Sequence, residues 1–169
     1  ANFFKEIGIP PYKNNSYFQK FKVKTVKRYG KWKWDKKGVL EKMLNNNYIR
    51  GENIIGFIEG SDLKDEIVVI TAHYDHLGIK DSLIYNGADD NGSGTVAIME
   101  IAEAFMLAKK EGKGPRRSIL IMPVSAEEKG LLGSKYYVEN PIYPLENTIA
   151  NLNVDMIGRI DEYHNNPNY

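Results

Sequence analysis

The chain has 169 residues, 42% of them hydrophobic, and a formal net charge of +1, with a mean hydropathy of -0.46; that is enough for one globular domain with its own core, and no internal repeat is evident. It contains no cysteine, which excludes a disulfide framework and a thiolate metal site and leaves histidine and carboxylates as the available metal ligands. No apolar run approaches the length of a bilayer span, and Ala1-Asn2-Phe3-Phe4 does not read as a signal peptide.

The charge is unevenly spread. Residues 1–52 carry 13 Lys and Arg against 4 Asp and Glu, leaving 10 basic and 18 acidic residues for the rest, so the two parts stand at +9 and -8. The segment "KTVKRYGKWKWDKK", with Trp32 and Trp34 as stacking platforms, has the composition of a nucleic-acid patch. The alternation of Phe21, Val23 and Thr25 with Lys20, Lys22 and Lys24 favours another reading, a strand with one wet face whose lysines protect a sheet edge. Neither a nucleic-acid nor a membrane partner is expected.

A short helix is predicted around Val39 to Leu44, then a strand near Ile54 to Glu59 closed by Gly60. After a turn at Ser61 to Asp65, a second strand covers Glu66 to Ala72. Its run Val68, Val69, Ile70 and Thr71 suits a strand buried on both faces. In "YNGADDNGSGTVAIMEIAEAFMLAKKEGKG", Gly and Asx residues mark a loop, Asn91 or Ser93 is a candidate cap, and Thr95 to Lys110 reads as a helix ended by Gly112 and Gly114. Apolar positions including Val96, Ile98, Met99, Ala102, Phe105 and Met106 cover most of that helix, which predicts deep packing.

Ile119 to Val124 forms the next apolar strand, where Pro123 implies a bulge or an unpaired amide. A helix through Leu131 to Val138 precedes Pro141. Leu152, Asn153 and Val154 then lead into Asp155. Strands alternating with helices predict an α/β domain whose sheet has substantial parallel character.

Such sheets place their chemistry just beyond the carboxyl ends of the strands. Here three strands run into His73 with Asp75, Glu127 with Glu128, and Asp155, while the loop before a helix supplies Asp89 and Asp90. A lone carboxylate after a strand is usually a cap or a solvated turn. Several arriving at one edge would repel one another or take up protons, and divalent cations would resolve that conflict.

Four of these segments, "AHYDHLG", "GADDNGSGT", "SAEEKGLLGS" and "NVDMIGR", occur in the order and spacing of the zinc-dependent exopeptidases that include bacterial leucyl aminopeptidases, glutamate carboxypeptidases and glutaminyl cyclases. The chain resembles that family from about Asn53 to Arg159. The resemblance implies a three-layer α/β fold of the phosphorylase/hydrolase type, with a mixed, largely parallel sheet and helices on both faces. It implies two zinc ions, with His73 and Asp155 as ligands of the first, Asp90 as the bridge and Glu128 as a ligand of the second. Glu127 resembles the general base and acid, and Asp75 the partner that orients the His73 imidazole. The peptide bond after Asp90 is expected to be cis.

Physical chemistry accommodates each role. A carboxylate has two oxygens and can bridge ions about 3.5 to 4 Å apart. A ligating histidine needs an acceptor on its other ring nitrogen. Neighbours in an extended chain point to opposite sides, which separates Glu127 from Glu128. One departure stands out: the family's second zinc takes a further histidine downstream, and this chain ends fourteen residues after Asp155. His164, in a polar stretch, reads as an exposed tail residue, and His76 as support for the site.

The expectation is therefore a single catalytic peptidase domain truncated at its C-terminus, with a basic lead-in over 1–52 and a motif-bearing core over 53–159. An apolar sheet edge would be open to self-association. The expected activity is that of a metallo-exopeptidase acting on peptides. Acidic residues beside the metals suit a free α-amino group and so an aminopeptidase; a carboxypeptidase, a glutaminyl cyclase or a non-catalytic, receptor-like binding module are the alternatives. The expected location is extracellular or periplasmic.

Overall fold

A strand that is apolar on both faces needs cover on two sides, and the run Ile67 to Ala72 receives it. In the computed structural model, residues 1–26, 31–34 and 48–159 are described. The helix expected from Val39 to Leu44 and His164 lie outside the described residues, as do the side chains of Trp32 and Trp34.

The chain opens with helix α1 (Asn2–Ile7). Phe4 and Ile7, one turn apart, are both buried. Gly8, at φ 91°, ends the helix with its N–H donated to Lys5 O at 3.2 Å, a left-handed conformation that glycine adopts without steric cost. Strand β1 (Phe18–Val26) pairs antiparallel with β2 (Lys31–Trp34) and with β3 (Tyr48–Ile54). Phe21 and Val23 are buried and Lys20 is exposed, as a strand with one wet face requires.

The strand predicted near Ile54 to Glu59 is divided. β3 ends at Ile54, Ile55 donates its N–H to Tyr17 O at 2.8 Å, and β4 (Gly56–Ile58) joins a different sheet. That second sheet continues with β5 (Leu63–His73), which is followed by the hairpin β6 (Gly78–Lys80) and β7 (Leu83–Tyr85). Helix α2 (Gly94–Lys110), strand β8 (Arg117–Val124), helix α3 (Leu132–Glu139) and strand β9 (Thr148–Asn153) follow. The strand order is β4-β8-β5-β9, with β8, β5 and β9 parallel and β4 antiparallel to β8. Parallel neighbours need crossovers, which α2 and α3 supply.

Side-chain alternation decides which helix each face meets. Ile70, Ala72, Ile119 and Ile121 pack with Phe4 of α1 and Ile98 and Ala102 of α2. Ile67, Val69, Leu120, Met122 and Val124 turn the other way, toward Tyr137 of α3. The result is the α/β arrangement expected, a mixed and mostly parallel sheet with helices on both faces.

One local expectation needs correction and another is narrowed. Helix α2 is not deeply packed: only Gly94, Ile98 and Ala102 are buried, while Val96 is 56% and Leu107 53% exposed. Apolar content around the whole circumference misled, because the sheet and α1 meet the helix on one side only. Of the two expectations for Pro123, the bulge is absent and the unpaired amide position holds. The β5 ladder continues through Ala72↔Pro123 without a register shift there, and the β4 ladder stops at Gly56↔Ile121, so Pro123 lies beyond the point where β4 needs an amide. At the opposite edge, β9 leaves Ile149 and Leu152 exposed. Among the described residues, no helix is long and apolar enough to cross a membrane.

This packing makes a graded prediction. Leu120 is fully buried, so Leu120→Ala is expected to cost about 2–5 kcal/mol in urea unfolding, whereas Val96→Ala should stay within about 0.5 kcal/mol of the parent. A loss at Val96 as large as that expected at Leu120 would contradict the one-sided packing of α2.

Candidate metal centre

Parallel pairing brings β5, β8 and β9 to their carboxyl ends at one edge. His73 pairs with Val124, and Thr71 with Asn153, so the residues that follow each strand emerge side by side. The irregular helical turn Ala88–Ser93, which feeds α2, reaches the same edge. Thr95 of α2 donates its hydroxyl to His73 O at 2.8 Å and ties helix to strand.

His73 is 3% exposed. Its Nε2 lies 3.0 Å from Asp90 Oδ1 and 3.6 Å from Asp155 Oδ1, and one ligand atom from each of the three residues falls within 4.8 Å of the others. Its Nδ1 is 2.9 Å from Asp75 O. A carbonyl only accepts, so Nδ1 carries the hydrogen and a neutral ring turns its Nε2 lone pair toward two carboxylate oxygens. Acceptors facing acceptors in this way need a proton or a cation between them. Nitrogen and oxygen ligands about 2.0–2.2 Å from a tetrahedral zinc stand roughly 3.3–3.6 Å apart, close to the 3.0 and 3.6 Å separations here. The donor set therefore fits zinc.

Asp75 reaches the imidazole through its main chain. Its carboxylate is 3.8 Å from His73 Nδ1, and it is the backbone carbonyl that accepts the ring N–H. The carboxylate instead accepts from two amides, Glu127 N at 3.0 Å and Glu128 N at 3.3 Å. One residue thus orients the imidazole and also holds the turn that carries both glutamates.

Those glutamates diverge. Glu127 lines a cavity of about 360 Å³ together with His73 and Asp155. Glu128 lines a separate groove of about 330 Å³ with Asp89 and Asp90. Burial pushes the Glu128 carboxyl above its ordinary pKa, the negative charges of Asp90, Glu127 and Asp75 add to that rise, and His73 opposes it. The peptide bond between Asp90 and Asn91 is cis, as expected.

Supporting residues were the part that sequence patterns missed. Asp89 accepts from Gly158 N at 2.8 Å, and Ser93 Oγ accepts from Ile157 N at 3.2 Å. His76 is not one of the three clustered residues; its Nδ1 lies 2.8 Å from Tyr85 O and 3.0 Å from Gly78 N, where it braces the β6-β7 hairpin. The Asx-rich composition of "GADDNGS" signalled capping, but not that the same loop would bind the segment after β9.

Comparison with known proteins decides the lineage. Residues 53–164 match the model of peptidase family M28. The chain belongs to that family. The M28 match contains His73, Asp75, Asp90, Glu127, Glu128 and Asp155. A probable glutamate carboxypeptidase, LAMP1, from Arabidopsis thaliana is 38% identical over 120 residues, covering 67% of this chain and 17% of its own length. The solved zinc aminopeptidase BSAP from Bacillus subtilis is 32% identical, with a TM-score of 0.52 over 76% of this chain and 27% of that one. The glutaminyl cyclase of Porphyromonas gingivalis shares the fold, with a TM-score of 0.59, 20% identity, and coverage of 93% of this chain and 50% of that one. The chain thus spans between about one sixth and one half of the length of these three relatives.

The clasp at Asp75 can be tested without changing charge between two variants. Asp75→Asn and Asp75→Ala both remove the carboxylate, but only Asn keeps an acceptor for one glutamate amide. The Asn variant is expected to be more stable in urea by about 0.5–1.5 kcal/mol; equal stability would show that the clasp contributes nothing.

Proposed function

We propose that this M28 chain forms the metal-binding part of a zinc aminopeptidase that releases N-terminal residues from peptides. The carrying observation is the buried imidazole whose Nδ1 is committed to the Asp75 carbonyl while Nε2 faces Asp90 and Asp155. In this reading His73, Asp90 and Asp155 would hold zinc, and Glu128, with Asp90, would serve a second ion. Residues 1–169 then belong to a single catalytic domain. Zinc in this position supplies Lewis acidity toward the scissile carbonyl and lowers the pKa of water toward about 7.

The remaining chemistry falls to the chain's own groups. Glu127, beside His73 and Asp155 but outside their cluster, takes the proton of the attacking water and passes it to the leaving amine. Asp75 keeps Glu127 in place through the amide contact and needs no proton of its own. No covalent intermediate is required. The carboxylates at the edge suit a free α-amino group, which favours N-terminal cleavage. A carboxypeptidase is the second reading, supported by the name of the Arabidopsis relative. Self-association through the exposed β9 edge, with Ile149 and Leu152 outward, belongs to the same proposal.

The test is a panel of aminoacyl and N-blocked chromogenic substrates run on the full-length protein, with zinc content measured in parallel. Hydrolysis confined to free N-termini is expected, and cleavage of blocked substrates at the C-terminus would replace the first reading with the second. Glu127→Gln should retain zinc while kcat falls by about 10²–10⁴-fold; near-normal turnover in that variant would refute its role.

A further inference from the structure

The sheet does not reach Asp155 itself. The ladder between β5 and β9 ends at Thr71↔Asn153, two residues earlier. The Asp155 side chain is 40% exposed, so its own packing does not fix it, although Val154 packs on the core. Yet the site requires its oxygen near His73 Nε2. Val154 N donates to Thr71 O at 2.8 Å, and the next anchors all come from the turn that contains Asp90.

The central anchor is Asn91, 2% exposed. Its Nδ2 donates to Val154 O at 2.9 Å, and its Oδ1 accepts from Met156 N at 3.3 Å. One side-chain amide therefore grips the residues immediately before and after Asp155. Asn91 also follows Asp90 in the chain, so it joins one candidate ligand by a covalent bond and holds the backbone on either side of the other by two hydrogen bonds. Resting on the metal-centre reading above, the geometry points to Asn91 as the positioning residue that sets Asp155 against Asp90 and His73.

A simpler account makes Asn91 only the cap of α2, since Oδ1 also accepts from Gly94 N at 3.0 Å. Serine caps a helix about as well as asparagine, but it has no amide donor and does not extend to both Val154 and Met156. A cap alone leaves the grip on Val154 and Met156 unexplained. Gly94 supplies an independent observation. Its φ of -65° is ordinary, but a Cβ there would lie 2.5 Å from Val154 O and would also collide with Asn91 Oδ1. Glycine is needed at this position so that the Asp155 segment can approach, and backbone freedom plays no part.

The experiment uses the full-length protein, with zinc affinity measured by chelator competition and the visible spectrum recorded after cobalt substitution. Asn91→Ser keeps a cap and adds no charge. It is expected to weaken zinc binding by about 10–100-fold and to alter the cobalt spectrum, while the near-UV circular dichroism remains that of the parent. A folded Asn91→Ser variant with parental affinity and spectrum overturns the inference. If that variant does not fold, Gly94→Ala carries the test: loss of affinity supports the role, and parental affinity overturns it. His73→Ala is the control for the underlying reading. A parent protein that binds zinc no better than His73→Ala removes the metal centre itself, and this inference with it, an outcome distinct from a metal centre indifferent to Asn91.

Discussion

Two carboxylate oxygens held against one imidazole nitrogen dominate this molecule. His73 commits Nδ1 to the Asp75 carbonyl, and Nε2 then stands 3.0 and 3.6 Å from Asp90 and Asp155. A neutral ring in that tautomer would place three acceptors together, an arrangement stabilised by a cation and opposed without one. Glu128 shows the same electrostatic pressure one step outward, its carboxyl driven toward the neutral form by burial and by its acidic neighbours. The sheet explains how such a cluster persists. Hydrophobic packing on both faces of β5 and β8 stabilises the strands, and their carboxyl ends then converge whatever charges they carry.

Hydrogen bonds to the backbone do the finer placement. The Asp75 carboxylate holds the amides of Glu127 and Glu128, and the turn before α2 holds the segment after β9. Behind the glutamates, buried Asn53 donates to Gln19 Oε1 at 3.0 Å and to Gly133 O at 2.8 Å. Ser125 Oγ accepts from Glu52 N at 3.0 Å. The basic lead-in is therefore more than an appendage to the acidic core. Phe21 and Val23 of β1 pack with Ala126 and Leu132, so the antiparallel sheet braces the turn that presents Glu127. A division of the chain at residue 52 describes its charge better than its packing.

Much of the secondary structure was legible because it follows from local rules. The run at Ile67 to Ala72 needed a strand buried on both sides, and Gly112 and Pro141 punctuated the two crossover helices. What local rules missed depended on contact between distant segments. Phe4 and Ile7 make α1 stable only by docking on the core, and the division between β3 and β4 rests on the bond from Ile55 to Tyr17. The apolar circumference of α2 predicted burial that one-sided contact does not deliver.

Residue order by itself determined the candidate metal chemistry. With no cysteine available, histidine and carboxylates placed after strands were the possible ligands, and four motifs in sequence carried the family resemblance. Tertiary structure decided how those groups are held: that a carbonyl of Asp75 rather than its carboxylate orients His73, and that Asn91 grips both neighbours of Asp155. The physical reason is range. Residue type and strand periodicity act over a few positions, whereas a hydrogen bond between residues 91 and 154 exists only after the sheet has brought the two segments together.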